Sequence, residues 1–305
     1  DKQMPPTSFF SSKVESDEAE LFDGEMPEEG ASEDERETFE ETWNRREIKD
    51  CPDLLHLAGA ALPKLLLQIH YRSAYRELIS FSNAAFYHNE LSVPVRHPAS
   101  EVRRCRPLEM VRVDGVYEEQ TNGLEALAVV DYLAQLWSIP AKDRPSVGVV
   151  TFNRKQADRI VSELETRAEQ NEDFRTAYSE ELERQDDGED MGVFVKNVEN
   201  VQGDERDFIV FSTTFGRGKL GNFTRNFGVL GQKGGERRLN VAVTRARKKI
   251  VIMTSIPIQE VSDLLSARRS LAVPRDYLQA YLEYARLISS GDLDEAELLR
   301  GRLTG

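Results

Sequence analysis

The sequence predicts an α/β domain, a parallel sheet with helices packed on both faces. Three observations lead there. Residues 146–152 (SVGVVTF), 207–214 (DFIVFSTT) and 250–255 (IVIMTS) are short, β-branched and aromatic runs with the length of buried strands. Segments with apolar residues at helical spacing lie among them. Strands that alternate with helices pair in parallel through right-handed crossovers.

The elements follow in order. Residues 65–69 (LLLQI) read as a buried strand. Over 74–86, helical spacing places Leu78, Ile79, Ser82 and Phe86 near one face. Residues 110–113 form another strand. Thr121 or Asn122 caps a helix over 123–137, with apolar residues at 124, 127, 130, 133, 134 and 137. A helix over 155–167 turns Ile160, Val161 and Leu164 inward, and a strand follows at 193–196. The glycine-rich segment 216–235 is a loop, and 238–247 is a short helix before the strand at 250–255. After Pro257 the chain reads as helical. Its stripe there is Tyr277, Leu278, Tyr281, Tyr284, Ala285 and Ile288.

Composition sets the bounds. Of 305 residues, 39% are apolar and 31% charged, enough for a sizeable core in one large domain or two smaller ones. No apolar run reaches the roughly 18 residues of a membrane helix. Cys51 and Cys105 are too few for a zinc cluster or a disulfide framework. No His or Cys pair has ligand spacing, so no metal site is expected. The expectation is a reducing, cytoplasmic compartment and no membrane.

The net charge of −14 is unevenly spread. Residues 15–50 hold 16 acids against 4 bases, and 169–190 hold 10 acids against 2. Residues 217–249 carry 10 Lys/Arg and one acid, Glu236, a candidate footprint for phosphate. Residues 15–50 are also poor in aliphatics and broken by Gly24, Pro27 and Gly30, and read as a mobile acidic insertion. The expected organisation is 1–14, the insertion 15–50, an α/β domain over 51–257, and a helical extension over 258–305.

Three segments concentrate chemistry. In Gln202-Gly203-Asp204-Glu205-Arg206-Asp207, Gly203 allows a tight turn or a close ligand approach beside the polar Gln202 and Glu205. An ordinary polar connection explains that segment equally well. In Arg238-Leu-Asn240-Val-Ala-Val-Thr244-Arg245-Ala-Arg247, seven positions separate Arg238 from Arg245, which puts both on one helix face. Arginine offers a permanently charged fork to phosphate oxygens, although a solvated basic face is the competing reading. His70-Tyr71-Arg72 supplies a stacking ring and a further phosphate donor directly after a buried strand, where α/β folds place ligands. Thr151 and Asn153, after the next strand, are weaker candidates. No nucleophile elbow or carboxylate dyad is present.

Together with Gln3-Met-Pro5-Pro6, these segments resemble motifs III, IV, V and VI of superfamily 1 helicases, in that order. They are similar to the branch that includes RNA-surveillance and replication helicases, and to large bacterial helicase-like proteins. The likeness covers residues 1 to about 255. It implies a RecA-like, P-loop-NTPase-type sheet, the second lobe of a helicase, with residues 1–14 ending the first lobe.

The resemblance also implies roles. Gln3 would sense the γ-phosphate, and Arg72 and Arg245 would act as arginine fingers. Tyr71 would lie near the base and Glu205 at the ribose, with Gln202 and Gly203 shaping the site. Thr151, Asn153 and Asn197 would contact the nucleic-acid backbone; Asn197 stands where many relatives have Ser or Thr. The sequence contains no GxxxxGK[ST] segment, so ATP and Mg²⁺ would be held mainly by a separate N-terminal lobe. The chain lacks a starting Met and reads as an internal cut through a larger protein. The expectation is half of an ATP-dependent DNA helicase or translocase site, inactive in hydrolysis by itself. Its partners would be that lobe and single-stranded or partly duplex nucleic acid, DNA in preference to RNA. The alternative is a non-catalytic RecA-like module that binds nucleic acid or protein.

Overall fold

In the computed structural model, residues 62, 68–262 and 273–303 are described. Gln3, the acidic insertion at 15–50 and residues 65–67 of the first expected strand lie outside them. Five strands form one parallel sheet: β1 (Leu108–Arg112), β2 (Val147–Thr151), β5 (Phe194–Asn197), β6 (Arg206–Ser212) and β7 (Ala246–Thr254), in the order β1-β7-β6-β2-β5. A separate two-stranded hairpin pairs β3 (Gln185–Asp186) with β4 (Glu189–Asp190). The helices are α1 (Glu77–Tyr87), α2 (Ala99–Cys105), α3 (Gly123–Trp137), α4 (Arg154–Gln170), α5 (Glu172–Leu182), α6 (Gly235–Val243), α7 (Pro274–Ser290) and α8 (Leu293–Gly301). This is a RecA-like α/β arrangement.

The two-residue period of each strand builds the layers. Val147, Val149, Val210, Val251 and Met253 face one side and pack with Val129, Leu133, Ile160, Leu164 and Phe174 of α3, α4 and α5. Their neighbours Val150, Ile209, Phe211, Ile250 and Ile252 face the other side. There they meet Leu78 and Phe81 of α1, Leu239 of α6, and Leu278, Tyr281 and Ile288 of α7. Burial of each such side chain is worth about 1.5–3 kcal/mol. The C-terminal helices therefore share the core of the sheet, and Tyr284 Oη donates to Glu77 O at 3.1 Å.

Several expectations need correction. Ile69 makes an isolated bridge to Ser92 and is exposed, so the described end of the 65–69 segment is not a buried strand. The inward face of α3 is Ala126, Val129, Val130, Leu133 and Trp137 together with Glu125, whereas Leu124 and Leu127 are exposed. A buried carboxylate rotates the face, and hydrophobic spacing cannot register that. Helix α6 stops at Val243, where Thr244 Oγ1 donates to the carbonyls of Asn240 and Val241. Arg245 is thus outside the helix and Ala246 begins β7, so Arg238 and Arg245 do not share a helix face. The acidic stretch at 169–190 holds the whole of α5 and the β3–β4 hairpin.

Candidate nucleotide and nucleic-acid sites

Two groups of expected site residues sit at opposite edges of the sheet. At the amino edge, Glu205 immediately precedes β6 and Arg245 immediately precedes β7. The strands pair with Arg206 opposite Ala246, and Arg206 N donates to Arg245 O at 3.3 Å. The segment before α1 crosses this edge because Ala74 N donates to Arg247 O at 2.7 Å. Three guanidinium groups therefore converge on one carboxylate. Arg72 Nε lies 2.7 Å from Glu205 Oε2, Arg247 Nε 3.8 Å from the same oxygen, and Arg245 3.9 Å from Oε1. Two of these arginines come from the start of β7 and the third from the segment before α1, so the site lies away from the strand carboxyl ends where ligands of α/β folds are usually found.

Arg245 is buried and anchored by its own turn: Nε donates to Val241 O at 2.8 Å and a terminal nitrogen donates to Thr244 Oγ1 at 2.9 Å. Burial and the neighbouring Arg72 lower its pKa, against the opposing pull of Glu205. His70 Nε2 lies 2.8 Å from Ser73 Oγ, and burial with the charges of Arg72 and Arg245 lowers its pKa to about 4. The ring is neutral near pH 7 and adds no charge. One carboxylate among three guanidiniums leaves a net positive site that could hold phosphate oxygens. Tyr71 is 80% exposed, with its ring free of the core. Gln202 and Gly203 are exposed in the turn before β6, and Gly203 has φ +90°, a conformation that favours glycine. Lys196 holds that turn through Asp204, 2.8 Å away.

At the carboxyl edge, Thr151 ends β2 and Asn197 ends β5, and the two are register partners. Thr151 is fully buried, and its hydroxyl donates to Asn153 O at 2.6 Å. Asn153 caps α4: Oδ1 accepts from Gln156 N at 2.8 Å, and Nδ2 donates to Gln120 O at 2.9 Å. Asn197 is also buried, and its Oδ1 has no hydrogen-bond partner among the described residues. The seven residues of β6 separate the two edges by roughly 20 Å.

A family model described as "AAA domain" matches residues 52–256, two thirds of the sequence. The chain belongs to this AAA-domain family of superfamily 1-type helicases. Over 279 residues it is 35% identical to an uncharacterized ATP-dependent helicase of Mycoplasma genitalium, covering 91% of this chain and 22% of that protein. The homologue in Mycoplasma pneumoniae is 34% identical over 87% of this chain and 21% of its own length. An uncharacterized ATP-dependent helicase of Methanocaldococcus jannaschii is 26% identical over 72% of this chain and 29% of its own. The chain thus spans about a fifth of the length of its Mycoplasma relatives. A solved C-terminal domain of a possible DNA helicase from Lactobacillus plantarum is 16% identical, covering 60% of this chain and 86% of that one, a loose likeness with a TM-score of 0.33.

The AAA domain also holds a polar cluster that hydrophobic spacing does not reveal. Glu125 is fully buried yet faces five donors. Thr214 N and Ser255 N donate to it at 2.7 Å, Ser212 Oγ at 2.8 Å, Thr213 Oγ1 at 3.3 Å and Asn122 Nδ2 at 3.4 Å. Burial raises its pKa to about 7, opposed by the hydrogen bonds from Ser212, Thr214 and Ser255. The one signal in the sequence is Glu125 three residues after the cap Asn122, which suggests an exposed capping box. The basic run is partly neutralised by acids: Arg238 pairs with Glu199, Lys248 with Asp207, Lys249 with Glu109, Arg217 with Glu260 and Lys219 with Glu118. It is not a bare cationic stripe. Among the described residues, no group of three His, Cys, Asp or Glu side chains could hold a metal ion, and no helix is long and apolar enough to cross a membrane.

Proposed function

We propose that this AAA domain is the C-terminal motor lobe of an ATP-dependent superfamily 1 helicase or translocase. Residues 51–257 constitute the lobe and the helices after 258 extend it. Its amino edge completes an ATP site whose phosphates and Mg²⁺ are held mainly by an N-terminal lobe of the same protein. Arg72 and Arg245 stabilise charge on the transferring phosphoryl group, an effect worth roughly 10³–10⁵ in rate. Tyr71 meets the base, Glu205 the ribose, and Gln202 and Gly203 shape the turn beside them. Gln3, from the end of the first lobe, links the γ-phosphate to the strand.

The strand, DNA in preference to RNA, runs along the carboxyl edge. Its phosphates meet the amino end of α4 at Asn153, with Thr151 and Asn197 behind it. Closure of the two lobes on ATP and reopening after hydrolysis would then move the gripped strand. The reading is carried by the convergence of Arg72 and Arg245 on Glu205, since phosphate chemistry needs those guanidiniums side by side. The relatives named as ATP-dependent helicases support it. The test is ATP hydrolysis by the longer protein carrying both lobes, with and without a single-stranded oligonucleotide. Strand-stimulated turnover is expected. Strand or protein binding without turnover would instead indicate a non-catalytic binding module.

A further inference from the structure

We infer that Glu125 is a positioning residue for the nucleic-acid-binding edge; this rests on the motor reading above. The geometry runs as one connected network. Glu125 takes the backbone N–H of Thr214 just beyond β6 and of Ser255 just beyond β7, each at 2.7 Å. Thr214 has φ +66°, a costly conformation for a β-branched residue, and the carboxylate holds its N–H there. Ser212 Oγ donates to Glu125 and accepts from Gln156 Nε2 at 3.0 Å. Gln156 also accepts from Asn122 N at 2.7 Å and donates to Asn122 O at 3.0 Å. Its own N–H completes the cap on Asn153. The same Asn122 donates to Ser255 Oγ at 3.0 Å, and that hydroxyl receives Gly115 N at 2.9 Å.

Every donor aimed at Glu125 requires an acceptor, and both carboxylate oxygens are engaged. A glutamine would turn an NH₂ toward at least one N–H, so a carboxyl group, with an acceptor oxygen on each side, is what fits. Among the described residues no cation offsets the buried charge; the groups facing it from α3, β6 and β7 are Asn122, Ser212, Thr213, Thr214 and Ser255, none of them titratable in this range. An apolar residue in place of Glu125 would leave the buried N–H groups of Thr214 and Ser255 without the acceptors that the carboxyl gives them. The consequence of the carboxyl is local: three loop starts and the first turn of α4 are fixed in one arrangement, at the edge where the strand is gripped. Preorganised contacts avoid an ordering cost on binding.

The experiment uses the longer protein with both lobes at about pH 8, comparing wild type with Glu125→Ala and the milder Ser212→Ala. ATP turnover is measured against the concentration of an oligothymidylate probe, with thermal melting alongside. In Glu125→Ala the concentration for half-maximal stimulation is expected to rise on the order of tenfold. Turnover at saturating probe should stay within about twofold of wild type. Ser212→Ala should shift the same way by less. Parallel loss of saturated turnover and melting temperature would make Glu125 merely structural and overturn the inference, as would an unchanged half-saturation. If Glu125→Ala fails to fold, an unmoved half-saturation in Ser212→Ala decides against it. Wild-type protein that hydrolyses no ATP with the probe would instead overturn the motor reading itself, before any substitution is compared.

Discussion

Arg72 Nε and Glu205 Oε2 are 2.7 Å apart, so a guanidinium arriving from the segment before α1 meets the carboxylate that precedes β6. Arg245 and Arg247 approach the same carboxylate from the start of β7. Glu205 is the shared counter-charge of this edge. Glu205→Ala leaves three guanidiniums facing one another. The melting temperature should fall at low ionic strength, and the loss should shrink as salt rises toward about 1 M, where the Debye length is near 3 Å. Thermal melts across a salt series check it; a loss independent of salt would point to packing instead.

His70 reports on the same cluster. Burial and the two arginines hold its pKa at about 4, below the ordinary value of 6.5. A histidine depressed in the folded state contributes stability above about pH 6.5 that is lost as pH falls toward 4. NMR titration of the ring should place its midpoint near 4, and Arg72→Ala should move the midpoint upward. An unmoved midpoint would show that Arg72 does not act on the ring.

Glu125 titrates in the opposite sense. Its folded pKa is raised from 4.5 to about 7, so the folded state binds the extra proton between those values. Its contribution is therefore fully present below about pH 4.5 and is lost as pH rises through 7. The span corresponds to about 3 kcal/mol at roughly 1.36 kcal/mol per pH unit. Denaturant unfolding of wild type and Glu125→Gln across pH 4–8 should show a stability difference that falls toward neutral pH. A flat difference would mean the carboxylate does not titrate in this window.

The sheet was legible because β2, β6 and β7 are apolar at consecutive positions and their two-residue period divides cleanly between two helical layers. α7 was legible through the helical spacing of Leu278, Tyr281 and Ile288. Sequence misjudged the places where polar groups govern. Thr244 ends α6 by hydrogen bonding back to it, which freed Arg245 to meet Glu205. α5 anchors itself through Phe174, Ala177 and Tyr178 alone within an acidic stretch, too few apolar positions for its helix to show in periodicity. The motif segments named Arg72, Glu205 and Arg245, but their convergence depends on Ala74 bonding across to Arg247, a long-range contact with no local signal. Glu125 was missed because its five donors come from segments as far apart as 122 and 255.

Gly203 makes a separate, local prediction. Its φ is +90° and nothing lies within 4 Å of the position a Cβ would take, so Gly203→Ala incurs backbone strain without a clash. The expected loss is about 1–2 kcal/mol, a fall of several degrees in melting temperature. A variant as stable as wild type would show that the turn relaxes out of the left-handed region.

The most direct test of the motor account is ATP hydrolysis by the longer protein with both lobes, comparing wild type with Arg245→Ala in the presence of single-stranded DNA. The account predicts that turnover falls by about 10³ or more while ATP binding is retained. Unchanged turnover in Arg245→Ala would contradict it.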